Sequence, residues 1–306
     1  MPERQLDLDL GPLPAARPDE HPATAIEDVV GSTRRKIRRI RPPVKAHGGK
    51  YYLAPKIVPV LLSAPGEPDE YLEPCVFGGS VFLAMPRFRR EILGDVNPDV
   101  INLWRAFSRR HVAKALQHDL DRTPYTEESF DAARSGNSPS DSGSAADFIV
   151  RSRFSRGGLG KTFAWSERTR GGKPGDVNSW DTFRSKVLPA VIDRAEGAEV
   201  VRDACWATVW ESRDRAKRLI YADPPYVRET RTAKDTYGPF EMPLLQHFWL
   251  VSALKAHSGP AALSGYRCGD YDRWLREWRR IDFDMPNNSG QGKKKQRRTE
   301  SLWINW

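Results

Sequence analysis

A short apolar run, Arg218-Leu219-Ile220-Tyr221-Ala222, passes without interruption into Asp223-Pro224-Pro225-Tyr226. Consecutive prolines donate no ladder hydrogen bonds and hold the residue before them extended, so a strand must stop where they start. A carboxylate, free carbonyls and an aromatic ring are then presented at the strand's carboxyl end. That is where open α/β sheets bind ligands. The alternative is a rigid turn with a surface Asp and a packed Tyr.

The surrounding chain supplies such a sheet. Ordered sequence begins at His47-Gly48-Gly49-Lys50, and strands are expected at Tyr71–Glu73 and Glu91–Asp95, followed by helices at Gly79–Met85 and Pro98–Phe107. After an interruption the alternation resumes with strands at Glu199–Arg202, Arg218–Ala222 and Ala261–Ser264 and helices at Pro243–His257 and Tyr271–Trp278. Strand, turn and helix in alternation predict a parallel, doubly wound sheet. The last two strands, Arg280–Asp284 and Ser301–Asn305, are expected as an antiparallel edge pair. Trp180, Phe183, Val187, Leu188, Val191 and Ile192 fall at helical spacing despite Pro189.

At 306 residues with a net charge of +9, the chain is long enough for a large core and basic enough to permit a nucleic-acid partner. No run approaches a membrane span and the N-terminus lacks a signal-peptide layout, which leads us to expect a cytoplasmic protein. Cys75, Cys205 and Cys268 are far apart and match neither a disulfide framework nor a metal site. An acidic leader up to residue 31, expected to be disordered, precedes a basic run at Arg34, Arg35, Lys36, Arg38, Arg39, Arg41 and Lys45. That run reads as a phosphate-contacting arm or as a solvated tail.

Three further segments qualify as parts of a site. Glu73-Pro74-Cys75-Val76-Phe77-Gly78-Gly79-Ser80 is a strand-to-helix turn whose glycines admit a ligand close to the backbone, or else an ordinary βα loop. Asp95, ending the second strand, stands where a carboxylate meets a ribose, or where one caps the next helix. His47-Gly48-Gly49-Lys50 alone is a turn with a lysine. No GxGxxG and no Walker-type GK[ST] occurs, which disfavours a bound pyrophosphate.

Taken in order, HGGK, EPCVFGGS, GDVNPDVINL, an insertion, DPPY and the closing KKKQRRTESLW resemble the DNA adenine methyltransferases of the alpha-group amino-methyltransferases, the DNA adenine methylase type. The likeness runs from about Ala46 onward. It departs from the family where Ala46-His47 replaces a commoner Trp-Ala and where Cys75-Val76-Phe77 replaces a commoner Phe-x-Gly.

The resemblance implies an α/β, Rossmann-like S-adenosylmethionine-dependent methyltransferase fold with a seven-stranded sheet and an inserted DNA-recognition region. It implies S-adenosylmethionine as cofactor, held by His47, Gly48, Gly49, Lys50, Glu73, Phe77, Gly78, Gly79, Asp95, Asp203 and Asp223. Asp223, Pro224, Pro225 and Tyr226 would hold a flipped adenine of double-stranded DNA. The implied layout is leader and arm at 1–45, core at 46–108, recognition region at 109–197 and core again at 198–306.

Within the insertion, Arg151, Arg153, Arg156, Lys161, Arg168, Arg170 and Lys173 lie in a glycine-rich stretch with Phe154, Phe163 and Trp165. Together with Lys293, Lys294, Lys295, Arg297 and Arg298, they are candidate DNA contacts or solvated charges. Trp206, Trp210, Trp249, Trp274, Trp278 and Trp303 read as packing residues. Asp223 favours adenine over cytosine or a protein amide as the acceptor. Methylation of RNA or a protein amide, and a catalytically silent DNA-binding protein, are the competing readings. A monomer is expected, and the resemblance admits a cognate restriction endonuclease as a partner.

Overall fold

A computed structural model describes residues 23–26, 29, 37–45, 48–136, 138, 140–166, 168–231, 237–286 and 297–306. A helix, α1 (Ala54–Leu61), leads into β1 (Glu70–Glu73) and β2 (Arg90–Asp95). Helices α2 (Pro98–Ser108), α3 (Arg110–Asp121), α4 (Glu127–Ser135) and α5 (Asp141–Arg153) follow, then a two-residue hairpin, β3 (Thr169–Arg170) and β4 (Lys173–Pro174). Next come α6 (Gly175–Thr182), α7 (Leu188–Ala195), β5 (Glu199–Arg202), α8 (Cys205–Trp210), β6 (Arg218–Ala222), α9 (Leu244–Ala256), β7 (Ala261–Gly265), α10 (Gly269–Trp274), β8 (Arg279–Pro286) and β9 (Arg297–Ile304).

Seven strands form one sheet in the order β5-β2-β1-β6-β7-β9-β8. The first five are mutually parallel, and β9 is antiparallel to both of its neighbours. This is the expected α/β architecture, with the terminal pair antiparallel as read from the sequence. Strands β1, β6 and β7 are buried along their whole length, as strands covered on both faces must be. Alternate residues feed opposite layers. Tyr71, Leu219 and Tyr221 join one apolar cluster; Leu72, Ile220 and Ala222 join the other. Since β2 lies on one side of β1 and β6 on the other, the sheet reverses direction at β1, and a crevice opens at the carboxyl ends there.

The first cluster continues without a break into the insertion, where Phe130, Ile149, Phe154, Trp180 and Phe183 are buried. Phe154 therefore belongs to the core, and Phe163 packs against it and Tyr125. The end of the insertion is pinned to the sheet by a buried bidentate pair. Arg194 of α7 donates to both carboxylate oxygens of Glu91 at 2.8 Å, with its guanidinium 3.9 Å over Phe82. Removing one partner of such a pair costs about 3–5 kcal/mol, because the other charge is left buried and alone.

Three helical expectations change in detail. Gly79–Met85 forms successive turns instead of a helix, because its hydrogen bonds mix three- and four-residue spacings, as in Ala84 to Val81 and Leu83 to Gly79. The Tyr271–Trp278 helix is shorter, covering Gly269–Trp274. The Trp180–Ile192 helix is continuous but passes through a π turn at Phe183–Val187. Pro189 directly follows that turn, so the hydrogen-bond ladder changes spacing where proline can neither donate an N–H nor fit a regular helix interior.

Of the basic run, Arg34, Arg35 and Lys36 lie outside the described residues, as does most of the acidic leader. Residues 37–45 pack on the body. Val44 is buried, and Arg153 donates to the carbonyls of Pro43 at 2.7 Å and Pro42 at 2.8 Å. No helix among the described residues is long and apolar enough to cross a membrane.

Candidate active site

The loop leaving β1 is shaped by contacts that require its sequence. Gly79 has φ +60, and a Cβ there would come within 2.4 Å of the Trp104 ring, so no other residue fits without displacing a fully buried indole. Trp104 Nε1 donates to the Phe77 carbonyl at 2.8 Å, and Phe77 itself has φ +33. Asp95, at the end of β2, accepts from the Phe77 amide at 3.0 Å and from the Asn97 amide at 2.9 Å, fastening the two loops together. Burial raises its carboxyl to about 6, against those same hydrogen bonds. It is ionised at neutral pH and can still accept a hydroxyl.

Glu73 is buried beneath the same loop. One of its oxygens accepts from the Tyr71 hydroxyl at 2.8 Å and the Phe82 amide at 2.9 Å. Burial pushes its carboxyl up to about 8, so it is largely protonated at neutral pH. The folded protein thus holds a proton that the unfolded chain has already released, and the contribution of Glu73 to stability falls as pH climbs from about 4.5 to about 8. Glu73→Gln keeps an acceptor and cannot ionise. Urea unfolding across that range should show the variant losing less stability than the parent protein as pH rises. Parallel curves would refute the assignment.

Across the crevice, Lys50 is 5% exposed and sits among the DPPY residues. Its Nζ lies 3.0 Å from Asp223 Oδ1, donates to the Gly48 carbonyl at 2.9 Å and stands 4.7 Å from the centre of the Tyr226 ring. Burial works against the ammonium, but Asp223 and Glu300 outweigh it and hold Lys50 above the usual lysine range. Burial raises Asp223, and Lys50 pulls it back. The Tyr226 hydroxyl donates to Glu300 Oε2.

Lys50, Asp223 and Tyr226 face one cavity of about 870 Å³. It brings together Gly48, Gly49, Lys50, Glu73, Phe77, Gly78, Gly79, Asp95 and Asp223 to Tyr226, with Gly157, Gly158 and Leu159 of the insertion on its wall. Asp203 is exposed, caps the Ala204 amide at 2.8 Å and does not line the cavity; Ala204, Cys205 and Trp206 do. Trp206, expected only as packing, is therefore also a wall residue. His47 and Lys294 fall outside the described residues.

Several candidate DNA contacts have internal partners. Arg151 pairs with Asp99 at 2.7 Å and Arg297 with Asp284 at 2.5 Å. Arg153, bonded to the Pro42 and Pro43 carbonyls, lies 3.6 Å over Phe183, and burial lowers its guanidinium. Arg156, Lys161 and Arg168 are exposed. Sequence reasoning missed Glu300 and Tyr266, which stand beside the cavity on β9 and just after β7; Arg298, named above as a candidate DNA contact, lines the cavity as well. Only the strand register could have placed them.

A mixed seven-stranded sheet with a glycine turn after β1, an acid ending β2 and DPPY after β6 is consistent with the Rossmann-like methyltransferase fold that the resemblance implies. Residues 47–158 match the profile of the D12 class N6 adenine-specific DNA methyltransferase family. The chain is also similar to two proteins named DNA adenine methylase from Vibrio cholerae serotype O1, of the classical Ogawa and El Tor Inaba strains. Each is 27% identical over 206 residues, spanning 65% of this chain and 70% of the relative. The resemblance drawn from the motifs is upheld by a family profile and by relatives whose names are those of adenine-specific DNA methylation.

Proposed function

We propose that this protein transfers a methyl group from S-adenosylmethionine to the exocyclic amine of an adenine flipped out of double-stranded DNA. The observation that carries this reading is the convergence of the β1 glycine turn, Asp95 and Asp223 to Tyr226 on one cavity.

The residues present fit the cofactor. At Gly48 a Cβ would meet nothing within 4 Å, leaving open backbone beside the cavity, and Asp95 is a half-buried carboxylate suited to ribose hydroxyls. Gly48, Gly49, Phe77, Gly78, Gly79 and Asp95 would hold it. When bound, S-adenosylmethionine supplies an electrophilic methyl on a sulfonium centre.

The protein's part is to make a weak nucleophile attack. An adenine amine is unreactive because its lone pair is delocalised into the ring. Asp223 and the Pro224 carbonyl accept its two hydrogens, which favours a tetrahedral nitrogen with the lone pair free. The prolines offer acceptors without competing N–H donors. Burial of Asp223 strengthens its interaction with the amine and lets it take the proton released after transfer. Holding the amine in place removes much of the entropic barrier. The base needs the Tyr226 ring, which Lys50 now overlies, so the lysine moves aside or the base takes the opposite face. Arg156, Lys161 and Arg168, all exposed, are insertion cations available to meet phosphates or base edges.

The test is incubation with duplex DNA and methyl-labelled S-adenosylmethionine, followed by nucleoside analysis at several salt concentrations. Labelled N6-methyladenine is expected, with DNA affinity falling as salt rises and a shallower slope for Arg156→Ala/Lys161→Ala. Label recovered only on RNA or protein would overturn the substrate assignment.

A further inference from the structure

Strand β9 runs against β7, with Ile304 opposite Ala262 and Ser301 opposite Gly265. Glu300 therefore lies one residue beyond the carboxyl end of β7, on the edge of the sheet where β1 and β6 end. An antiparallel strand in a parallel sheet brings its early residues to the ligand edge, while its later residues, Leu302, Trp303 and Ile304, are fully buried in the core. Packing and function are thus separated along one strand.

At that edge Glu300 accepts the Tyr226 hydroxyl, and its charge, with that of Asp223, helps to hold the Lys50 ammonium. Tyr266, which follows β7, meets Tyr226 edge-on with ring centres 4.6 Å apart at 71°. The Tyr226 ring is fixed at its hydroxyl by Glu300, at its side by Tyr266 and over its face by Lys50. Without Glu300 the buried Tyr226 hydroxyl would lose the acceptor that β9 supplies and keep only its interaction with the Asp223 carboxylate, with Tyr266 and Lys50 alone holding the ring's edge and face.

We propose that Glu300 is a positioning residue for methyl transfer, fixing the Tyr226 ring that receives the target base through a hydrogen bond to its hydroxyl. This rests on the reading of the site given above. Glu300 touches no reacting atom and acts through Tyr226.

The experiment compares Glu300→Ala, Glu300→Gln, Tyr226→Phe and the Tyr226→Phe/Glu300→Ala double variant in single-turnover methylation of duplex DNA. S-adenosylmethionine affinity is measured alongside. Glu300→Ala should lower the rate constant by roughly tenfold to a hundredfold, with cofactor affinity and KM for DNA within about threefold of the parent protein. Glu300→Gln, whose amide oxygen still accepts a hydrogen bond, should recover most of the rate. Tyr226→Phe should match Glu300→Ala, and the double variant should lose no more than either, because both remove one interaction. Multiplying losses, a loss confined to KM, or a Glu300→Ala rate equal to the parent's would overturn the proposal. If Glu300→Ala fails to fold, Tyr226→Phe decides, and an unchanged rate there overturns it. Failure of the unaltered protein to methylate adenine while binding S-adenosylmethionine would overturn the functional reading and this proposal with it.

Discussion

Asp223→Ala is expected to lower methyl transfer by about a thousandfold or more while leaving S-adenosylmethionine affinity within a few-fold of the parent protein. The variant loses the acceptor for one amine hydrogen and the nearest base for the released proton, effects that each reach about a hundredfold or more. The glycine turn and Asp95, which would hold the cofactor, are built from β1 and β2 and do not depend on Asp223. The substitution also leaves Lys50 without the carboxylate 3.0 Å away, so some loss of stability should accompany it. Asp223→Asn separates the two effects: it keeps the shape and one acceptor but removes the negative charge. Near-normal turnover in Asp223→Ala, measured under single-turnover conditions with saturating cofactor, would sink the mechanism.

Gly79→Ala should do the converse, damaging cofactor binding first. A left-handed backbone costs a residue with a Cβ about 1–2 kcal/mol. Crowding a packed core typically adds about 1–3 kcal/mol. Here the contact would be with Trp104, 2.4 Å from the new carbon and fully buried, so the ring or the loop must shift. Either movement disturbs the Trp104 bond to the Phe77 carbonyl and, through Phe77, the loop's tie to Asp95. We expect a melting temperature several degrees lower and S-adenosylmethionine affinity reduced about tenfold or more, read by calorimetry and titration. A variant with unchanged melting and unchanged affinity would show that the turn is not the cofactor's cradle.

The sheet was legible because its central strands are apolar runs ending in chemistry-bearing turns. Arg218–Ala222 before DPPY and Glu91–Asp95 before the Pro98 helix could hardly be read otherwise, and both are found as strands. The candidate site was legible where a motif carries a backbone requirement, as in Gly78-Gly79, and where a carboxylate ends a strand, as in Asp95. It was not legible where tertiary pairing decides. The motif order places Lys50 in the cofactor turn, yet its ammonium reaches the DPPY carboxylate, a contact between residues far apart in sequence. Arg151 and Arg153 look like any loop cations until α5 is docked; then Asp99 and the Pro42 and Pro43 carbonyls engage them. Charge alone does not distinguish a guanidinium aimed at a phosphate from one stacked on Phe183.

The placement of β9 between β7 and β8 ties the order of assembly to competence. The five parallel strands and the three acids at their ends, Glu73, Asp95 and Asp223, come earlier in the chain than β9, the strand that pairs beside β7. Strands β8 and β9 pair with each other over eight residues and can form as a local hairpin before docking. When that hairpin docks onto β7, it seals the core with Trp303 and delivers Glu300 to Tyr226 in one motion. On the proposed reading, a chain with only its parallel strands paired would hold the glycine turn and Asp95 but would lack Glu300 beside Tyr226, so completing the sheet and completing the slot for a base would be a single event.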